Sequence, residues 1–150
     1  MIDGVYIKQL VIHCDDRGQL FEIWRTDDDG FCGFGQAYIT TAHPGIIKGW
    51  HYHKHQTDCF TVVKGRALFA LYDARDNSPT HGELQTFPLG EEERIVIVIP
   101  PGVYHGFKNI GTEEVWCLNC PNRVYNAAEP DEHRVDPFDS AIGFDWATES

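Results

Sequence analysis

The 150-residue chain has no run approaching the roughly 18 apolar residues of a membrane helix. Its amino terminus, Met1-Ile2-Asp3-Gly4-Val5-Tyr6, lacks the basic and apolar parts of a secretion leader. Neither a membrane span nor a signal peptide is expected. Positive charge is scarce, with 12 Lys and Arg against 23 Asp and Glu and a formal charge of −11. A field of that sign repels a phosphate backbone, which excludes a general nucleic-acid binder. Cysteine is few and odd in number (Cys14, Cys32, Cys59, Cys117 and Cys120), which argues against a disulfide framework and for a reducing cytoplasm. Internal repeats, Gly/Ser/Pro-rich linkers and composition breaks are missing, so residues 1–150 are read as a single domain. Convincing helical stripes with caps are also missing, apart from a short candidate over residues 127–132.

What the chain does have is short runs rich in β-branched and aromatic residues, punctuated by Gly, Pro, Asn and Asp. They cover residues 5–12, 19–24, 36–41, 59–63, 67–72, 94–99 and 114–119. Val62-Val63-Lys64-Gly65-Arg66-Ala67 reads as a tight hairpin. Many short strands at this spacing predict an all-β sandwich or small barrel of jelly-roll type, able to hold a small ligand in its mouth.

Histidine is unevenly placed: three of eight lie in His51-Tyr52-His53-Lys54-His55. On a strand, residues i and i+2 share a face, so these rings are able to project together. Gly45, five residues, His51-x-His53, four residues, Asp58, six residues and Gly65 form one pattern. Pro100-x-Gly102, two residues, His105, three residues and Asn109 form a second. These resemble the two motifs of the cupin superfamily, with Asp58 where a Glu is usual. The resemblance implies a cupin jelly-roll barrel (a double-stranded β-helix). It also implies His51, His53, Asp58 and His105 as ligands of one divalent metal; mixed imidazole and carboxylate donors suit Fe, Mn, Ni or Zn.

A narrower resemblance runs in order from about residue 10 to 146. It is carried by Asp16-Arg17-Gly18-Gln19-Leu20-Phe21-Glu22, Gln36, Lys48-Gly49-Trp50-His51, Asp73-Ala74-Arg75 with Ser78-Pro79-Thr80-His81-Gly82, Ile99 to Phe107, and Val135-Asp136-Pro137-Phe138 with Ile142 to Trp146. Together these resemble the dTDP-4-dehydrorhamnose 3,5-epimerases. The resemblance implies proton abstraction beside the ketone of a nucleotide-activated 4-keto-6-deoxy sugar, in polysaccharide or deoxysugar biosynthesis and with no cofactor. His51 would be the base, oriented by Asp136, with His105 at the carbonyl. Arg17, Glu22, Gln36, Lys48, Arg75 and Asn119 would bind the substrate, a nucleotide sugar, and the protein would be a homodimer.

Two departures stand out. Asn119 falls where that family has its tyrosine acid, leaving Tyr52, Tyr104 or Tyr125 to donate the proton, and Asp58 falls near its carbonyl-polarising lysine. A metal at the four ligands would replace that lysine, but would then compete with the base role for His51. A metal-dependent cupin (a dioxygenase or metal-assisted isomerase) and a non-catalytic sugar-binding cupin are the alternative readings. Plainer roles stand beside all of these. The histidines would be hydrogen-bonded inside a barrel, Asp58 paired with Lys54 or Lys64, Asp136 shaping a turn, Cys117 and Cys120 a buried inert pair, and Trp50 a pocket wall.

Overall fold

The computed structural model describes residues 1–147. Its twelve strands are β1 (Tyr6–Gln9), β2 (Ile12–Asp15), β3 (Gly18–Phe21), β4 (Tyr38–Ala42), β5 (Ile47–Tyr52), β6 (Asp58–Lys64), β7 (Arg66–Asp73), β8 (Leu84–Gly90), β9 (Ile95–Ile99), β10 (Val103–Asn109), β11 (Val115–Asn119) and β12 (His133–Arg134). A first sheet has the order β1-β9-β6-β11-β4 and a second the order β12-β5-β10-β7-β8, while β2 and β3 form a separate hairpin. All pairings are antiparallel. This is the expected all-β jelly roll. No helix among the described residues is long and apolar enough to cross a membrane.

The core follows from the strand period. Ile95, Ile97 and Ile99 of β9 join Phe60, Val62, Phe69, Leu71 and Phe107 in one buried cluster. The alternate residues Val96 and Val98 face the other way, into a cluster with Leu10, Cys59 and Cys120 that Phe21, Ile23 and Trp24 pack against. β9 is therefore an unbroken apolar run because both its faces are covered. The outer face of the second sheet is covered by the carboxy-terminal segment. There Trp50, Ala70, Ile142 and Trp146 are buried together, and Trp50 stands 5.1 Å from Trp146, ring centroid to ring centroid. Under Trp146, β5 and β10 come unusually close: a Cβ on Gly106 would sit 2.9 Å from the Gly49 Cα. Glycine at both positions permits that approach.

Four sequence expectations change. The run 5–12 is two strands, because the Leu10 N–H bonds to the Arg94 carbonyl and the chain then leaves the sheet. Residues 62–67 are no hairpin: β6 and β7 lie in different sheets, and Gly65 (φ +79°) carries the chain across the corner between them. Residues 127–132 form turns and irregular chain. Pro130 disfavours a helical Glu129, and the Asp131 carboxylate accepts N–H bonds from Lys54, His55 and Gln56 at 2.8–3.0 Å, which lays this segment along the barrel mouth. Trp50 belongs to the outer cluster and is no cavity wall.

Candidate active site

Strand alternation puts two histidines inside the barrel. On β5, Trp50 points outward and His51 inward; on β10, Tyr104 points outward and His105 inward. His51 and His105 are direct cross-strand partners, with ring centroids 6.4 Å apart. Tyr38 of β4 and Asp58 and Phe60 of β6 stand on the facing sheet. Between the walls lies a cavity of about 660 Å³, rimmed by Gln36, Arg123, Tyr125, Glu129, Asp131 and Glu132. An adjoining lobe of about 510 Å³ shares Tyr38, His51 and His105 and adds Thr40, Lys48 and Arg134. These volumes suit a small organic ligand.

Asp58 is buried and forms the hub of the inner end. Its Oδ2 lies 3.0 Å from His53 Nε2 and 3.1 Å from His105 Nε2, and its Oδ1 accepts from Gln56 Nε2 at 2.7 Å. The far nitrogens are also engaged: His53 Nδ1 faces the Asp131 carbonyl and His105 Nδ1 faces the Val103 carbonyl. A carbonyl only accepts, so each Nδ1 carries hydrogen and each neutral ring turns a lone pair toward Asp58. Two lone pairs and a carboxylate oxygen then converge on one point, an arrangement that requires a cation there, either a proton on a ring or a metal ion. The three donor atoms lie within 4.8 Å of one another.

The electrostatics follow from this packing. Burial would raise the Asp58 carboxyl, but the hydrogen bonds to His105 and His53 outweigh it and hold the group far below the usual carboxylate range. Burial lowers His53, but the Asp58 hydrogen bond and charge more than compensate, so its net shift is upward. Among the described residues His51 has no such carboxylate partner. Burial, then the neighbouring His105, lower it to about 4, which keeps it neutral and able to accept a proton. Burial and the Asp58 charge push Tyr38 up to about 12.

The structure brings together His51, His53, Asp58, His105, Gln36, Lys48 and Tyr125 around the cavity. His51 stands outside the three-donor cluster, so base and metal roles no longer compete for it. Asn119 is fully buried and reaches the site through Tyr38. Asp136 is not brought to His51. It is exposed and lines neither lobe, and its carboxylate accepts the Phe138 N–H of its own turn. The carboxylate whose field reaches His51 is Glu132. Arg75 is held by the buried Asp73 through its Nε and Nη2 atoms, each at 2.8 Å, and lines neither lobe. Arg17 pairs with Asp15 at the tip of the β2–β3 hairpin, and Glu22 pairs with Arg25 at 2.8 Å; both are exposed and away from the cavity of their own chain. Tyr52 and Tyr104 stack on each other on the outer face, 4.6 Å between centroids.

The profile of the polysaccharide biosynthesis C-terminal domain family matches residues 13–133. The spore coat polysaccharide biosynthesis protein SpsL of Bacillus subtilis is 40% identical over 149 residues, covering 99% of each chain. The chain belongs to this polysaccharide biosynthesis family. Another relative, the probable low-salt glycan biosynthesis epimerase of Haloferax volcanii, is 39% identical over 99% of this chain and 96% of its own. Among solved structures, a dTDP sugar isomerase from Desulfovibrio desulfuricans superposes with a TM-score of 0.92 at 28% identity, over 99% of this chain and 94% of that one. dTDP-4-dehydrorhamnose 3,5-epimerases occur among both the relatives and the structural neighbours, so the family's barrel here is the cupin jelly roll of those epimerases.

Within this family frame, sequence reasoning missed Tyr38, Gln56, Arg123, Glu132 and Arg134 of the cavity lining. Gln56 and Arg123 lie in loops that no periodicity marks. Arg134 reaches the lining because it pairs directly with His51, a contact made only on folding, and β12 is two residues long, too short for any strand pattern.

Proposed function

We propose that this protein is an epimerase of a nucleotide-activated 4-keto-6-deoxy sugar in polysaccharide biosynthesis, with His51 as the base. The observation that carries the reading is the His51 imidazole projecting into a cavity of small-ligand size in a chain whose relatives are glycan-biosynthesis proteins and sugar epimerases. A ketone acidifies the C–H bonds beside it. His51 takes that proton, and the enolate oxygen needs a hydrogen-bond donor or cation beside it; the cation that the Asp58 hub requires stands at that inner end. Lys48, Arg123 and Arg134 supply the local positive charge for a diphosphate, despite the acidic whole. The test is deuterium wash-in: in heavy water the protein should introduce deuterium beside the ketone of such a sugar. No incorporation across dTDP-, UDP- and GDP-linked 4-keto sugars would end the reading.

A second reading rests on the Asp58 hub. His53 Nε2, Asp58 Oδ2 and His105 Nε2 fit a divalent ion because the carbonyls behind both rings leave these atoms as donors. A bound ion would act as a Lewis acid on the substrate carbonyl. Protein purified without chelator should then carry about one ion per chain, and His53→Ala should lose it; metal-free wild-type protein assigns the hub to protons alone. The reading also includes a homodimer. The β2–β3 hairpin leaves the barrel with Val11, Ile12 and Leu20 exposed, a surface a second copy would cover, and Arg17 and Glu22 would then serve the partner's cavity. Light scattering should give twice the 17.1 kDa chain mass; a monomer overturns it.

A further inference from the structure

Inverting a carbon centre needs two proton transfers from opposite sides. A lone base that returns its proton delivers it to the face it came from, which exchanges the hydrogen and leaves the configuration unchanged. An acid must therefore stand across the cavity from His51. His51 belongs to the second sheet, so the acid belongs on the wall made by β4 and β6 of the first.

The protic side chains of the lining can be taken in turn. Lys48 is on the same strand as His51 and Arg134 on the strand paired beside it, while His55 and Arg123 lie in loops. His53 and His105 direct their Nε2 atoms at Asp58. Tyr52 and Tyr104 are outside the barrel. Tyr125 sits at the rim, 55% exposed, on a loop. Tyr38 differs from all of these. It is on β4, on the facing wall, and lines both lobes together with His51.

Its hydroxyl is also oriented. Asn119 is its direct partner across the β4–β11 ladder and is fully buried. The Cys59 N–H, which only donates, fixes the Asn119 oxygen at 2.9 Å. The amide nitrogen is thereby left to donate to the Tyr38 hydroxyl oxygen, also at 2.9 Å. With its oxygen accepting from Asn119, the phenol keeps its own hydrogen for another acceptor, and the open side is the cavity.

We propose that Tyr38 is the catalytic residue that protonates the enolate on the face away from His51, and that Asn119 is its positioning residue. The proposal rests on the epimerase reading above. In the step, the C–H bond breaks and its proton goes to His51. The Tyr38 O–H bond then breaks, and its proton forms the new C–H bond on the opposite face. The resulting imidazolium and phenolate return to their starting forms by proton exchange with solvent through the cavity mouth.

The experiment measures two rates on one deuterated sample, incorporation of deuterium beside the ketone and inversion of the centre, using a dTDP-linked 4-keto-6-deoxy sugar. Tyr38→Phe should continue to exchange while inversion falls by about 100- to 10,000-fold. Asn119→Ala should also lower the ratio of inversion to exchange, whereas a merely structural loss lowers both rates together. Inversion by Tyr38→Phe at the wild-type rate overturns the proposal. So does loss of exchange along with inversion in a variant of unchanged melting temperature. Wild-type protein that exchanges nothing is a different result and removes the epimerase reading itself.

Discussion

Substituting Asn for His51 should abolish deuterium incorporation beside the ketone, cutting the exchange rate by about 100- to 10,000-fold, the range for removing a positioned general base. The fold should survive, because the ring is half-buried at the cavity wall and the core clusters exclude it. His105 offers the contrast. It is buried, 4% exposed, between the Val103 carbonyl and Asp58, so His105→Ala would remove a support of the hub and confuse chemistry with stability. The clean comparison is His51→Asn with matched thermal melts and isotope exchange followed by NMR. Wild-type exchange in that variant would refute the base assignment.

Trp146→Ala should cost about 3–5 kcal/mol of folding free energy, the range for deleting a large buried aromatic. Against a typical total of about 5–15 kcal/mol, that leaves a marginal protein. Trp146 is fully buried. It packs edge-on against Phe144 at 4.6 Å, and its ring nitrogen donates to the Pro137 carbonyl at 3.1 Å. Its ring also lies over Gly49 and Gly106, directly behind the two strands that carry His51 and His105. Loss of the ring should therefore loosen the site as well as the fold. Denaturant unfolding followed by circular dichroism measures the cost, and a loss below about 1 kcal/mol would show that the carboxy-terminal cover is dispensable.

Strands were legible where composition is simple. β9, Ile95–Ile99, is β-branched throughout and ends at Pro100, so its pattern suffices. β8 and β10 escaped because β8 contains Pro88, tolerated only since β8 is an edge strand, and β10 contains Gly, His, Lys and Asn. At the site, motif spacing pointed to His51, His53, Asp58 and His105, all of which the structure sets at the cavity. Tyr38 could not be read this way. Its hydroxyl is oriented by Asn119, 81 residues further along, through a ladder that exists only after folding. Asp136 shows a different limit: a matching local segment says nothing of which way a short carboxylate turns, and here it accepts the Phe138 N–H.

The corner at Gly65 has a kinetic consequence. It is one of several crossings between the two sheets, so consecutive strands such as β6 and β7 do not pair, and ladders join distant residues such as Tyr6 with Val98 and His51 with Arg134. Such pairings must close long loops before they gain any contact energy, so refolding should be slow, on the order of milliseconds to seconds. Nascent chains would wait with unpaired edges, and cooler, slower synthesis should raise the yield of native protein.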